Sequence, residues 1–278
     1  MSDRVLITIT DGVADVVFNR ADKRNALDNS MFLAIAEAGE QLKTEPGLRA
    51  VVISGDGASF CAGLDFSSFQ AMAGDSEPGG GEPRTDPADS EGSPGTMSDG
   101  RITHLGQQVC WGWQELPVPV IAAEHGHAHG GALQNALGAD IRIVHPDTQL
   151  SLREVHWGLV PDMTGTFVLS TLVRPDVAKE LTFTARIFSG IEAAELGLVT
   201  RLSDDPKADA MTLAREIAGQ SPGAVRGSKE LFNRMANAGA AEQFAAERRL
   251  IGEQIGSPNQ VEAVMAGFEN RPPVYADV

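Results

Sequence analysis

Two apolar runs without polar alternation, residues 50–54 and 118–123, read as strands buried on both faces, which commits such a chain to a sheet covered by helices. Each leads into a glycine-bearing segment: Ser59-Phe60-Cys61-Ala62-Gly63-Leu64-Asp65 after the first, and His125-Gly126-His127-Ala128-His129-Gly130-Gly131-Ala132-Leu133-Gln134 after the second. Glycine lets a backbone approach another group that a side chain would hold away. Strand ends that present two such segments can aim two N–H groups at one carbonyl oxygen, an oxyanion hole that stabilises charge developing during reaction. The helical pattern over 132–139 adds its positive end. These features predict enolate or acyl chemistry.

Along the chain, residues 6–10 and 13–18 are β-rich and joined by Asp11-Gly12, a hairpin signal. A polar loop follows, then a helix capped by Asp28 with Phe32, Ile35, Ala36 and Ala38 on its apolar face. Strands and helices keep alternating to about residue 205, which makes this part α/β. Residues 206–278 are nearly pure helix, with Ser221-Pro222-Gly223 as a break, and apolar stripes that must dock on the core or on another subunit. The expected division is a catalytic core over 1–205 and a helical oligomerisation segment over 206–278. Within the core, residues 74–100 are rich in Gly, Pro, Ser, Asp and Glu and are expected to be a mobile surface insertion, either a bare loop or a cover for the site.

A net charge of −16 with no basic stripe argues against nucleic acid as a partner. No apolar run reaches the roughly 20 residues that cross a bilayer, and residues 1–4 do not begin a secretory signal, so a cytoplasmic location is expected. Cys61 and Cys110 supply neither a disulfide framework nor metal-ligand spacing. His125, His127 and His129 alternate as ligands might, but their place beside the glycines gives them another explanation, and no metal is expected. Nucleophile-elbow, dinucleotide and phosphate-loop motifs are absent. Trp111, Trp113 and Trp157 are candidates for an acyl pocket or for the core.

Acid–base candidates lie in Arg153-Glu154-Val155-His156-Trp157-Gly158-Leu159-Val160-Pro161-Asp162. Among these apolar neighbours a carboxylate can be pushed to titrate near neutrality. Pro161 favours the first turn of a helix and would put Asp162 at its start, where capping is the competing role.

Six elements in this order resemble the crotonase superfamily, the enoyl-CoA hydratase/isomerase family, over nearly the whole chain. They are Asn19-Arg20-Ala21-Asp22-Lys23-Arg24-Asn25-Ala26-Leu27, the 59–65 segment, Pro119-Val120-Ile121-Ala122-Ala123, Gly130-Gly131-Ala132, Ala139-Asp140-Ile141-Arg142 and Glu195-Leu196-Gly197-Leu198-Val199. The resemblance implies a core of repeated ββα units with a helical C-terminal segment, assembled as a homotrimer or a dimer of trimers. It implies an acyl-CoA substrate and no separate cofactor. By position, the oxyanion hole is the backbone N–H groups of Leu64 and Gly131. CoA is expected along Lys23, Arg24 and Ala26, with Lys229 as a further cation and Ala62, Asp65 and Gln134 completing the lining. Hydratases of this family resemble one another in having two glutamates; here the first position is Gln134 and the second is Glu154. Dienoyl-CoA isomerases resemble this chain in pairing the glutamate with an aspartate at the position of Asp162. The expectation is therefore a double-bond isomerase using Glu154 and Asp162, with a one-glutamate hydratase as runner-up and a non-catalytic acyl-CoA binder as the third possibility.

Overall fold

The computed structural model describes residues 3–68, 94–97 and 100–275. Apart from residues 94–97 and 100, the expected insertion over 74–100 lies outside them. Nine strands and ten helices of the described residues are labelled here in chain order. A six-stranded sheet runs β1–β2–β3–β4–β6–β9, with β1 antiparallel to β2 and the remaining neighbours parallel. The hairpin of β1 (Val5–Thr10) and β2 (Val13–Phe18) turns at Asp11 and Gly12, both at positive φ, as the two-residue turn compatible with strand twist requires.

The central strands β3 (Ala50–Gly55) and β4 (Val120–Glu124) are buried along their whole length, as their unbroken apolar runs require. Alternate residues serve two faces. Val51, Ile53, Val120 and Ala122 join the main core, which also takes Phe32 and Ile35 of α1 (Asn29–Lys43), Val109 and Trp113 of α2 (Leu105–Glu115), and Leu133 of α3 (Gly131–Leu137). Ala50, Val52, Ile121 and Ala123 face the other way and pack on Ala210 and Ala214 of α7 (Pro206–Ala218). The first helix after residue 205 thus closes one face of the sheet, so the expected boundary there divides two elements of one core.

A second, three-stranded sheet, β5 (His127–His129), β7 (Gln149–Ser151) and β8 (Phe188–Ser189), lies at the strand ends. Each of β4 and β6 (Ile141–Val144) is followed by a strand of this small sheet and then by a helix, α3 after β5 and α4 (Gly165–Leu172) after β7, which is the ββα repeat. Helices α5 (Pro175–Thr184) and α6 (Gly190–Leu196) precede the edge strand β9 (Arg201–Leu202). The remaining helices are α8 (Pro222–Ala236), α9 (Ala240–Gln254) and α10 (Pro258–Glu269). No described helix is long and apolar enough to cross a membrane.

Candidate active site

The two glycine segments meet where the sheets adjoin. Phe60 and Cys61 donate their N–H groups to the carbonyls of His125 and His127, while on the opposite side Leu27 donates to Gly63 and Asp65 donates to Leu27. This ladder engages the backbone on both sides of Leu64 and leaves the Leu64 N–H out; among the described residues no backbone carbonyl takes it. Gly63 stands at φ +94°, and a Cβ there would fall 2.5 Å from the His129 carbonyl oxygen, so only glycine permits this approach. Gly130 takes φ 55° and ψ −122°, a conformation essentially reserved for glycine, and starts α3 so that Gly131 is its first residue. The N–H of a first helical residue has no intrahelical acceptor. Leu27 borders both amides: it bridges to Leu64, and its Cδ1 lies 3.2 Å from the place of a Cβ on Gly131.

Glu154 comes to this point from the end of β7. Its Oε1 is 3.2 Å from where a Cβ on Gly130 would be, and it accepts a 2.6 Å hydrogen bond from Nε2 of Gln134. The orientation of that amide is fixed, because Oε1 of Gln134 accepts from the backbone N–H groups of Met163 at 3.0 Å and Gly165 at 2.9 Å. Gln134 therefore holds Glu154 by one oxygen. The other, Oε2, is buried with no hydrogen-bond partner among the described residues. An acceptor left bare in a dry site is free to take up a proton. Burial pushes the Glu154 carboxyl up to about 7.

Asp162 does not stand on a helix. The helix after Pro161 begins only at Gly165, and the residue before it, Thr164, makes no capping bond with its own side chain. The capping role expected as an alternative for Asp162 is taken by other residues: Gln134 accepts from Met163 and Gly165, and Glu247 accepts from the Thr164 N–H at 3.0 Å. Asp162 is half-buried beside the other acids, and burial, followed by the charges of Glu154 and Glu247, pushes its carboxyl up to about 8. The buried Cys110 thiol is pushed up by burial and then by the charges of Glu247, Asp162 and Glu154.

The remaining expected residues divide into those left outward and those held inside. Lys23 and Arg24 are exposed on the loop that reaches the site, and Ala26 is buried within it. Asn25, unsuspected from the sequence, pins that loop. Its Oδ1 accepts from the Arg20 N–H at 2.8 Å, and its Nδ2 reaches the carbonyls of Asp56, Ser59 and Phe60 at 2.9, 2.8 and 3.2 Å. Ala62 donates its N–H to Arg24, joining the loop to the oxyanion segment. Asp65 is engaged by Arg20 at 2.6 Å and by the N–H and hydroxyl of Ser67; the Ser67 N–H in particular holds its carboxyl down at about 2. Lys229 is 8% exposed, and its ammonium donates to the carbonyls of Trp113 and Val118 at 2.9 and 3.0 Å and to Asp140 at 2.8 Å. An ammonium has three hydrogens, so none is left for a CoA phosphate in this arrangement, contrary to the role expected of Lys229.

His127 meets the Ser59 hydroxyl at 2.9 Å and the ring of His129 edge to face, and burial holds the His129 ring down at about 4. Trp113 is core and Trp111 packs on Phe244 and Phe167. Trp157, with Leu64 and Val160, packs against Leu159, Ile251 and Val264, so α9 and α10 meet the 59–65 segment at Leu64. Glu247 went unrecognised, since nothing local in its helix marks it; its partners lie far off in sequence.

The family model described as enoyl-CoA hydratase/isomerase matches residues 13–274. The mouse protein named enoyl-CoA hydratase domain-containing protein 2, mitochondrial, is 31% identical over 271 residues, 95% of this chain and 84% of that relative. Mouse methylglutaconyl-CoA hydratase, mitochondrial, is 30% identical over 95% of this chain and 79% of its own length. An enoyl-CoA hydratase/isomerase structure from Mycobacterium paratuberculosis superposes with a TM-score of 0.83 over 95% of this chain and 98% of that one, and at 23% identity the likeness speaks for the fold.

Proposed function

The chain belongs to the enoyl-CoA hydratase/isomerase family, and on that premise we propose that it moves a carbon–carbon double bond within an acyl-CoA thioester. The N–H groups of Leu64 and Gly131 hold the thioester oxygen, so removal of a proton from C2 yields an enolate whose charge rests on that oxygen. Of Glu154 and Asp162, one accepts the C2 proton and the other returns a proton further along the chain. A 3,5-dienoyl-CoA would become a 2,4-dienoyl-CoA; with a 3-enoyl-CoA, Glu154 shuttles the proton between C2 and C4. Lys23 and Arg24 lie on the side where CoA phosphates enter. The enzyme needs no cofactor beyond the CoA carried by its substrate, and it works as a trimer or pair of trimers in fatty acid degradation.

The observation that carries this reading is the pinned amide of Gln134, which offers only N–H to Glu154. Water addition by two glutamates has no second acid there, while Asp162 supplies a second titrating group elsewhere. Hydration by Glu154 alone is the competing reading, favoured by relatives that are themselves named hydratases. Incubation of the purified protein with a 3,5-dienoyl-CoA, a 3-enoyl-CoA and a 2-enoyl-CoA tests both. Isomerisation of either of the first two is expected. Rapid hydration of the third, with the first two untouched, would make it a hydratase, and binding of all three without turnover would make it an acyl-CoA carrier.

A further inference from the structure

We propose that Glu247, contributed by helix α9, is a positioning residue that holds the turn carrying Asp162 in its working geometry. The inference rests on the reading of Glu154 and Asp162 as the acid–base pair, and it assigns a chemical task to the C-terminal helical segment.

Glu247 is 3% exposed. Its Oε2 accepts from the Thr164 N–H at 3.0 Å and from Nε2 of Gln107 at 3.1 Å, and its Oε1 accepts from the Thr166 hydroxyl at 2.6 Å. Gln243 donates to that same hydroxyl at 2.7 Å, and Gln107 is itself fixed by the Phe244 carbonyl and by the His104 N–H. The clamp is therefore anchored in α2 and α9, and it closes on the residues that follow Asp162. Thr164 stands at φ 69°, in the left-handed region that a β-branched residue seldom occupies. Three consecutive N–H groups hold it there from two directions: Met163 and Gly165 on Gln134, which grips Glu154, and Thr164 on Glu247. One network thus fixes both acids.

The charge of Glu247 calls for explanation. Its neighbour Arg248 turns Nη1 to the Ile102 carbonyl and to Gln107, and among the described residues no cation pairs with Glu247. A buried carboxylate without an ion pair costs more than a neutral amide of the same shape. The titratable or charged groups that interact with it are Glu154, Asp162, Cys110 and Arg248; its remaining neighbours, Gln107, Thr164 and Thr166, are neutral. Burial pushes the Glu247 carboxyl up too, against the Thr166, Gln107 and Thr164 donors that favour its ionised form; in that form its negative charge favours the protonated forms of the two acids beside it.

Two substitutions separate the hold from the charge. Glu247→Gln keeps an oxygen for Thr164, and the Thr166 hydroxyl can rotate to accept from the new amide. This variant is expected to fold and turn over, with its bell-shaped pH profile of kcat/KM displaced to lower pH. Glu247→Ala releases the turn and is expected to lower kcat by about 100-fold, as small misplacement of an acid does, with KM little changed. A Gln variant whose pH profile coincides with that of the unaltered protein would overturn the proposal, as would a folded Ala variant with full kcat. Carboxyl NMR titration of Glu154 and Asp162 in the Gln variant reads the same displacement without turnover. If those titrations move while Glu154→Gln and Asp162→Asn keep full activity, the acid–base reading fails and the coupling stands; if they stay still while both variants are inactive, the role of Glu247 fails alone.

Discussion

At the scale of single residues, the decisive contrast is between a glutamate held by one oxygen and a glutamine held by three bonds. Glu154→Gln is expected to abolish most of the proton exchange, a loss of about 10²–10⁴-fold in kcat, while the Kd for a saturated acyl-CoA stays the same; isotope wash-in at C2 and calorimetry measure the two. Gln134→Glu gives a complementary test. The new carboxyl keeps the two N–H donors of the 162–165 turn and adds a second acid, so hydration of a 2-enoyl-CoA is expected to rise, by about tenfold or more if general acid–base help is what is missing. The raised acids also tie stability to pH. Glu154 goes from 4.5 to about 7 and Asp162 from 3.8 to about 8 on folding, so their protonated folded forms are favoured. That contribution is complete below the unfolded values, shrinks as pH rises from about 4, and is gone once pH has passed the folded values of about 7 and 8. Melting temperature is expected to fall across that window, and to fall less in Asp162→Asn. That Glu154, Asp162 and the two glycine segments would lie near one another was legible because their patterns are local and ordered. Asn25 and Glu247 were not, because each acquires its role from partners in remote segments, such as the 83 positions between Thr164 and Glu247.

At the scale of elements, the sheet and its first helices follow from hydrophobic pattern alone. Unbroken runs gave β3 and β4, and Asp28 caps α1 by accepting from the Met31 N–H, as its sequence position predicts. The start of α4 was misjudged. Pro161 signalled a helix, yet the chain makes an extra turn through Thr164, which persists only because Gln134 and Glu247 satisfy its amides; a rule based on neighbours in sequence does not register acceptors brought by other elements. Gly63 shows the opposite case, a local signal with a long-range reason. Gly63→Ala forces a Cβ against the His129 carbonyl in a left-handed conformation and is expected to cost about 1–3 kcal/mol. Because Leu64 follows directly, kcat should fall as well, and denaturant unfolding beside a kinetic assay would register both.

At the scale of the whole molecule, the helical tail that its periodicity set apart from the core packs against it. Helix α7 covers one sheet face, Lys229 of α8 ties into the loop before β4, and α9 and α10 meet the 59–65 segment at Leu64. Amphipathic stripes predicted that these helices must dock; they did not say on what, since an apolar stripe is equally content with its own core or another chain. Lys229→Ala would leave Asp140 and two carbonyls without their buried partner, and is expected to lower unfolding free energy by about 3–5 kcal/mol while leaving the Kd for CoA unchanged. A weakened Kd with unaltered stability would return this lysine to the phosphate-binding role expected from sequence. The dependence of the Asp162 turn on a clamp 83 positions downstream has a consequence for biosynthesis. A chain emerging from the ribosome can complete its strands and present both glycine segments while α9 is still in the tunnel, but the Asp162 turn then lacks its clamp, so the site takes its final shape last, with the final helices.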